Sequence, residues 1–503
     1  MQPILSSAQM CWADALTIEE QGVAGSALME NAGMAVAEHV RANLCRNSLV
    51  LVLAGPGNNG GDGFAAAHAL MRLKINVQVI LLGNRDVLKG DAAKHAEQAA
   101  SAYVSIIECA DEKALDAQQH AFDHAGMIVD TLFGTGLARP LEGLISHAVD
   151  KINAAPASVL SVDIASGISS DDGSIMGAAV HACWTLPIAA YKWGHWLGEG
   201  REYAGNILSP AAIGIEADII AQAQSDKPGV CNRARLIEQA DIRAAFPARP
   251  HICHKRDFGH VWIFGGSRGY TGAPQLAASG AFAVGAGLVS IACPENVYSV
   301  VAASSLEAMV HPQDEAPWQV ADVVLAGPGW GDAQQQQLAE VIAADKALVL
   351  DADALNMLAA DKALAKKVGK RQALTVLTPH PGEAGKLLDV KSREIQADRL
   401  AAVLSLAKEF HAWIVLKGAD SLIASPEGDV WVCPFGSSNL AVAGTGDVLA
   451  GMLAARLGRG QPPEVALPAA VGLHALTGER DDWFLAGELG QLAHGMLADF
   501  RRT

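Results

Sequence analysis

The apolar run Leu49-Val50-Leu51-Val52-Leu53 passes directly into Ala54-Gly55-Pro56-Gly57-Asn58-Asn59-Gly60-Gly61-Asp62-Gly63-Phe64, and a helix is expected behind it from about residue 65 to 73. An unbroken apolar strand is what a parallel sheet covered by helices on both faces requires. The order strand, glycine loop, helix is that of a nucleotide-binding βαβ unit, although the spacing is neither G-x-G-x-x-G nor a P-loop with its Lys. The pattern recurs. Strands are expected at 77–82, 127–130 and 159–163, the last two ending in Asp130 and Asp163 and running into glycine turns. Farther along, strands at 260–264, 323–326, 347–350, 374–377 and 413–416 each end in a turn of Gly, Asp, His or Lys. The fold class is therefore α/β, with polar groups gathered at the carboxyl edge of each sheet, where open α/β sheets bind ligands.

A chain of 503 residues exceeds one ordinary core, so two or three domains are expected. The 50 glycines lie between apolar runs, as tight strand-to-helix turns require. A net charge of -17 with no basic run argues against a nucleic-acid surface, so no nucleic-acid partner is expected. Eight cysteines without a C-x-x-C pair indicate neither a disulfide framework nor a zinc ribbon, and a reduced cytoplasm fits best. Asp14, Glu19 and Glu20 interrupt any leader-like apolar core, and no apolar stretch reaches spanning length, so no membrane partner is expected.

Chemistry is concentrated in few places. Gly444-Thr445-Gly446-Asp447 opens an apolar helix: glycines let backbone N–H groups approach an anion, and the helix adds the positive end of its dipole. Asp447 beside such a cradle reads either as a base that deprotonates an arriving hydroxyl or as a helix cap only. Asp62, Asp130 and Asp163 bring three polar turns to one crevice in the first half. The stretch His251 to His260 matches no common zinc spacing and reads as a substrate-side loop or a surface turn.

The first half resembles the NAD(P)H-hydrate epimerases through residues 55–64, Val129-Asp130-Thr131-Leu132-Phe133-Gly134-Thr135-Gly136 and Ser161-Val162-Asp163-Ile164-Ala165-Ser166-Gly167, with Ala165 where the family usually has Pro. The resemblance implies a Rossmann-like three-layer domain over residues 1–220. It also implies that Asn58, Asn59, Gly60, Gly61, Asp62, Gly134, Thr135, Gly136, Leu137, Ala138, Arg139, Pro140 and Asp163 contact hydrated nucleotide. Asn59, Asp130 and Ser166 would hold potassium, for which hard oxygen ligands are suited. Asp163 would be the catalytic residue, serving as acid and then base at the hydroxylated C6.

After a linker at 221–234, residues 235–503 resemble the ribokinase-like fold. Within it they resemble the nucleotide-dependent NAD(P)H-hydrate dehydratases, by residues 351–355, 378–383, Lys417-Gly418 and 443–447 together, with Arg256 where the family usually has Gly. This implies an α/β/α domain in which Lys417, Gly418, Ala419, Asp420, Ser421 and Gly446 bind ADP or ATP. Ala273, Gly329, His380 and Asp447 would contact the hydrate, Asp447 as the catalytic base, and Glu383 would orient magnesium and its waters.

The two resemblances imply one bifunctional repair enzyme with NADHX and NADPHX as substrates. It would exchange the R and S forms and dehydrate the S form at the expense of ADP (to AMP and phosphate) or ATP. A cytoplasmic homo-oligomer is expected. A ribokinase-class small-molecule kinase with a non-catalytic first module is the alternative, and a stable phosphorylated product would favour it.

Overall fold

The computed structural model describes every residue except Arg46, Pro228, Val230, Asp481 and Thr503. The chain divides into two compact units, residues 3–230 and residues 231–503, the second also taking in Met1 and Gln2. The stretch 221–234 is only partly irregular. The helix Ala217–Asp226 covers its start and the strand Ala234–Leu236 closes it, while Pro228 and Val230 lie outside the described residues.

In the first unit a parallel sheet runs in the order Ser105–Cys109, Val77–Leu82, Leu49–Ala54, Ala125–Thr131, Ser158–Val162, Trp184–Leu186, Asn206–Ile207. Alternation along the central strand feeds both faces. Val50, Val52 and Ala54 join the core under the helices Gly25–Asn43 and Asn58–Arg72, and Leu51 and Leu53 join the core under Leu144–Ala154. These are the three expected layers. Strand order reverses on either side of Leu49–Ala54, so its carboxyl end opens at a topological switch point.

One local expectation fails instructively. The helix behind the first glycine loop begins at Asn58, not near residue 65, with Gly57 at its N-cap. A Cβ at Gly60 would lie 1.9 Å from the Gly55 carbonyl oxygen, and one at Gly63 would lie 2.2 Å from Thr131 Oγ1. These glycines permit close packing within a helix; they do not mark a loop. Ahead of the sheet, the apolar stretch 10–43 is two helices, Ser7–Glu19 and Gly25–Asn43. Ser6 and Gln9 form a capping box on the first.

The second unit carries the parallel strands Met309–Pro312, Leu288–Cys293, His260–Phe264, Val323–Ala326, Ala347–Leu350, Thr375–Leu377 and Trp413–Leu416, in that order. The hairpin Leu422–Ala424 and Val430–Val432 continues antiparallel, and Ala234–Leu236 pairs in parallel with its outer strand. The switch point here is His260–Phe264. One face of the sheet is covered by the helices Ala273–Ala283, Thr445–Gly458, Pro463–Thr477 and Leu489–Phe500. The first two of these touch backbone to backbone. A Cβ at Gly280 would meet the Val448 carbonyl oxygen at 2.1 Å, and one at Gly451 would meet that of Ala277 at 1.8 Å.

The tempting His251 to His260 stretch holds the short 3₁₀ turn Lys255–Phe258 with His254 exposed. Phe258 is the buried plug, under the Arg249 guanidinium at 4.0 Å and that of Arg459 at 5.0 Å.

Candidate active sites

At the first switch point a cavity of about 520 Å³ is lined by Asn58, Asn59, Asp62, the turn Gly134 to Gly136, and Asp163. The helix Asn58–Arg72 points its N-terminus here, so its first N–H groups and dipole favour an anion. Gly60 and Gly61 are buried behind the wall, whereas Ala138, Arg139 and Pro140 lie exposed beyond the turn and Leu137 packs against the core. The structure thus gathers the middle of the sequence-derived set and leaves residues 137–140 off the cavity wall.

Asp163 follows the strand Ser158–Val162 with a left-handed backbone (φ 72°), which turns its carboxylate back toward the cavity. Three donors grip that carboxylate. Lys192 Nζ and the Ile188 N–H reach Oδ1, the latter at 3.3 Å, and the Thr135 N–H reaches Oδ2 at 3.3 Å. Lys192 is itself fully buried, with Nζ also donating to the Ile188 carbonyl oxygen at 2.6 Å. His195 sets the backbone. Burial, then the Lys192 charge, push its imidazole down to about 4, so the ring is neutral. Its Nδ1 accepts from the Lys192 N–H at 3.1 Å, which leaves Nε2 to donate to the Asp163 carbonyl oxygen at 2.8 Å. Asp62 is held well above the usual carboxylate range by burial, and by the charges of Asp163 and Asp14.

Asp130 is buried beneath the cavity, and all four of its acceptor positions are used. Oδ1 accepts from Ser166 Oγ at 2.6 Å and the Leu132 N–H at 3.2 Å; Oδ2 accepts from Ser161 Oγ at 2.8 Å and the Ser166 N–H at 3.0 Å. Among the described residues the buried Asn59 amide nitrogen has no hydrogen-bond partner. A Cβ at Gly134 would touch both the Asn59 amide and Asp163 Oδ2, so only glycine fits between them.

In the second unit Gly444 takes a left-handed conformation (φ 95°) as N-cap of Thr445–Gly458, which places Asp447 in the first turn. Behind this turn His474 Nε2 donates to the Thr445 carbonyl oxygen at 2.9 Å; burial pushes that histidine down to about 4 and keeps it neutral. Lys417 pairs with Asp351 Oδ1 at 2.7 Å, an oxygen that also accepts from Thr378 Oγ1 at 2.7 Å, and lies 3.8 Å from Glu383 Oε2. Gly446 is at the lysine's tip, since a Cβ there would be 3.5 Å from Nζ. His380 opens the helix Pro381–Leu388 in a capping box with Glu383, its ring nitrogen 3.4 Å from Glu383 Oε1.

Burial raises both Asp447 and Glu383 to about 7, with Asp351 adding to the rise and Lys417 opposing it. Ala273 and Gly329 meet across the switch point: a Cβ on Gly329 would lie 2.9 Å from that of Ala273. The turn 417–421 is braced by Arg399, which donates to the carbonyl oxygens of Ala419 and, at 3.4 Å, Leu416. The arrangement offers a proton acceptor near neutrality beside an anion-binding helix start, with one cation alongside.

Sequence reasoning missed Lys192, whose signal was a lone charge inside the apolar stretch Ile188 to Trp193, and Asp14, which also lines the first cavity. Among the described residues no group of three His, Cys, Asp or Glu side chains is disposed to hold a metal ion, and no helix is long and apolar enough to cross a membrane.

Residues 25–194 match the family model of the YjeF-related protein N-terminus, and residues 261–486 match that of NAD(P)H-hydrate dehydratase. The bifunctional NAD(P)H-hydrate repair enzyme of Moorella thermoacetica is 34% identical, covering 99% of this chain and 95% of its own. That of Gloeobacter violaceus is 37% identical over 91% and 89%. Among solved structures, the ADP/ATP-dependent NAD(P)H-hydrate dehydratase of Bacillus subtilis is 30% identical, covers 53% of this chain and 98% of its own, and has a TM-score of 0.47. With both family models matched in order and relatives aligned over nearly its whole length, the chain belongs to the bifunctional NAD(P)H-hydrate repair enzymes.

Proposed function

We propose that residues 3–230 interconvert the R and S forms of NADHX and NADPHX at C6, and that residues 231–503 dehydrate the S form to NAD(P)H at the expense of ADP or ATP. The observation that carries the second activity is Asp447, held near 7 at the start of the helix Thr445–Gly458 with Lys417 beside it. Hydroxide is a poor leaving group. Asp447 takes the C6 hydroxyl proton as the hydroxyl oxygen attacks the terminal phosphate, and the N–H groups at Gly444 to Gly446 stabilise the charge in transit. The ring nitrogen then expels phosphate, and loss of a C5 proton restores the dihydropyridine.

Lys417 and the turn through Gly418, Ala419, Asp420 and Ser421, with Gly446, bind the nucleotide; Ala273, Gly329 and His380 contact the hydrate. Among the described residues no carboxylate cage is present for magnesium, and Lys417 already occupies Asp351, so Glu383 would hold waters of an ion that arrives with the phosphates, whose charge the ion neutralises. ADP is the phosphoryl donor we favour.

In the first unit the hydrated ring lies against Asp163, with Asn58, Asn59, Asp62 and the turn Gly134 to Gly136 contacting the nucleotide. Potassium would be held by Asn59, Asp130 and Ser166, whose hard oxygens fit an alkali cation. Since Asp130 is saturated by donors, ion binding has to displace one of them, and the Ser161 and Ser166 hydroxyls are the ones free to rotate. The enzyme is proposed to work in the cytoplasm as a homo-oligomer.

The test mixes purified protein with both epimers of hydrated NADH. Full recovery of NADH absorbance should require nucleotide, and Asp447→Ala should retain epimer exchange alone. A stable phosphorylated product instead would show a kinase.

A further inference from the structure

A single carboxylate serving both faces of the nicotinamide ring would have to swing, and Asp163 cannot. Its two oxygens are fixed by Lys192, the Ile188 N–H and the Thr135 N–H. A second proton carrier is required, and the cavity holds one that the motifs do not announce.

The helix Ser7–Glu19 is anchored at its start, where the Ser7 N–H and Oγ donate to the two Asp171 carboxylate oxygens at 2.7 and 2.6 Å. Its inner face, Met10 and Ala13, is buried against Ile219, Ile220 and Ala223 of the helix Ala217–Asp226. Next to that face Asp14 lines the same cavity as Asp163. Among the described residues its carboxyl has neither a hydrogen bond nor an ion pair, a half-buried acid left open toward the ligand space.

We propose that Asp14 is a second catalytic carboxyl of epimer interconversion, exchanging a proton with the C6 oxygen on one face of the ring while Asp163 does so on the other. This rests on the epimerase reading above. In one direction protonated Asp14 gives its proton to the C6 hydroxyl. The C6–O bond breaks with its electron pair leaving on water, and the ring-nitrogen lone pair forms the N=C6 double bond. Water adds to the opposite face through its own lone pair, the N=C6 π pair returns to nitrogen, and the Asp163 carboxylate takes the released proton. One water leaves and one enters. One proton has passed from Asp14 to Asp163, and exchange with solvent through the open cavity resets the pair.

Burial raises Asp14 to about 6 against the pull of Lys192, with Asp163 adding to the rise, so it carries a proton at mildly acid pH. The groups facing it across the cavity are Asp62, Asp91, Asp163 and Lys192, with Cys11 on its own helix.

The full chain, Asp14→Asn and Asp14→Glu are each given purified R or S NADHX without nucleotide, and epimer exchange is followed by proton NMR alongside thermal unfolding. The parent should interconvert the epimers. Asp14→Asn should lose at least about 100-fold in kcat with KM within about threefold. It should also lose the parent's fall in rate above about pH 6, where Asp14 gives up the proton it has to donate. Asp14→Glu should keep that fall and at least about a tenth of the rate, which separates chemistry from a mere packing role. Asp14→Asn with kcat within about threefold of the parent, a loss confined to KM, or an unchanged pH profile overturns the proposal. A parent that fails to interconvert the epimers overturns the epimerase reading itself.

Discussion

Each site pairs one lysine with one aspartate, Lys192 fully buried and Lys417 partly so, but the lysines are spent differently. In the first unit Lys192 grips Asp163, the carboxylate proposed to touch the ring. In the second, Lys417 grips Asp351, and the proposed base Asp447 is left half-buried and held near 7. A carboxylate fixed by a cation can exchange a proton on one face of the ring only; one left in a low-dielectric pocket has its basicity raised toward that of the medium. The comparison teaches that the two chemistries call for opposite placement of the same ion pair. Exchange at C6 uses a fixed anion plus a second carrier, whereas phosphoryl transfer uses a base with basicity near that of the medium and a cation kept for phosphate.

Lys192→Met should break the comparison most severely. Leaving Asp163 buried without its cation should lower epimer exchange by about 100-fold or more and cost about 3–5 kcal/mol of stability in urea unfolding. Adding Asp163→Asn should recover much of the stability and none of the activity. Next, Asp351→Asn should slow dehydration by about tenfold, since Lys417 loses its anchor. Dehydration by the parent should rise with pH through about 7, because Asp447 must be ionised to accept the hydroxyl proton. Removing the Asp351 charge removes one cause of that high value, so the midpoint of the rise should move down. The smallest effect is expected from Ser166→Ala, which should raise the potassium needed for half-maximal epimer exchange by about three- to tenfold and leave dehydration unchanged.

The parallel strands were legible in the sequence because burial on both faces leaves unbroken apolar runs such as Leu49 to Leu53 and Val323 to Ala326. Most of the site's loops were legible for a related reason, since a polar group at the end of such a run has to face a crevice. Helix starts were not: Gly60, Gly61 and Gly63 read as loop residues, and only the contacts a Cβ would make show that they belong to a packed helix. Short strands such as Leu422–Ala424 escaped because three residues carry no period. Asp14 escaped because nothing local distinguishes a charge turned into a cavity from one turned to water, and Lys192 escaped because a lone charge in an apolar stretch does not name its partner. Lys192 reaches its partner 29 residues away, and Asp14 meets Asp163 only through the folded cavity.

The reciprocal glycines of Ala273–Ala283 and Thr445–Gly458 fix how substrate range can change in the second unit. With Gly280 against the Val448 carbonyl and Gly451 against that of Ala277, the two rods are keyed together and have no slack to slide. One rod carries Asp447 and the other begins with Ala273, so the proposed base and the wall proposed to face the substrate travel as a single body. On the proposed roles, selection for a bulkier or smaller substrate has to act on the turns at Gly329 and His380, while the key itself tolerates no side chain.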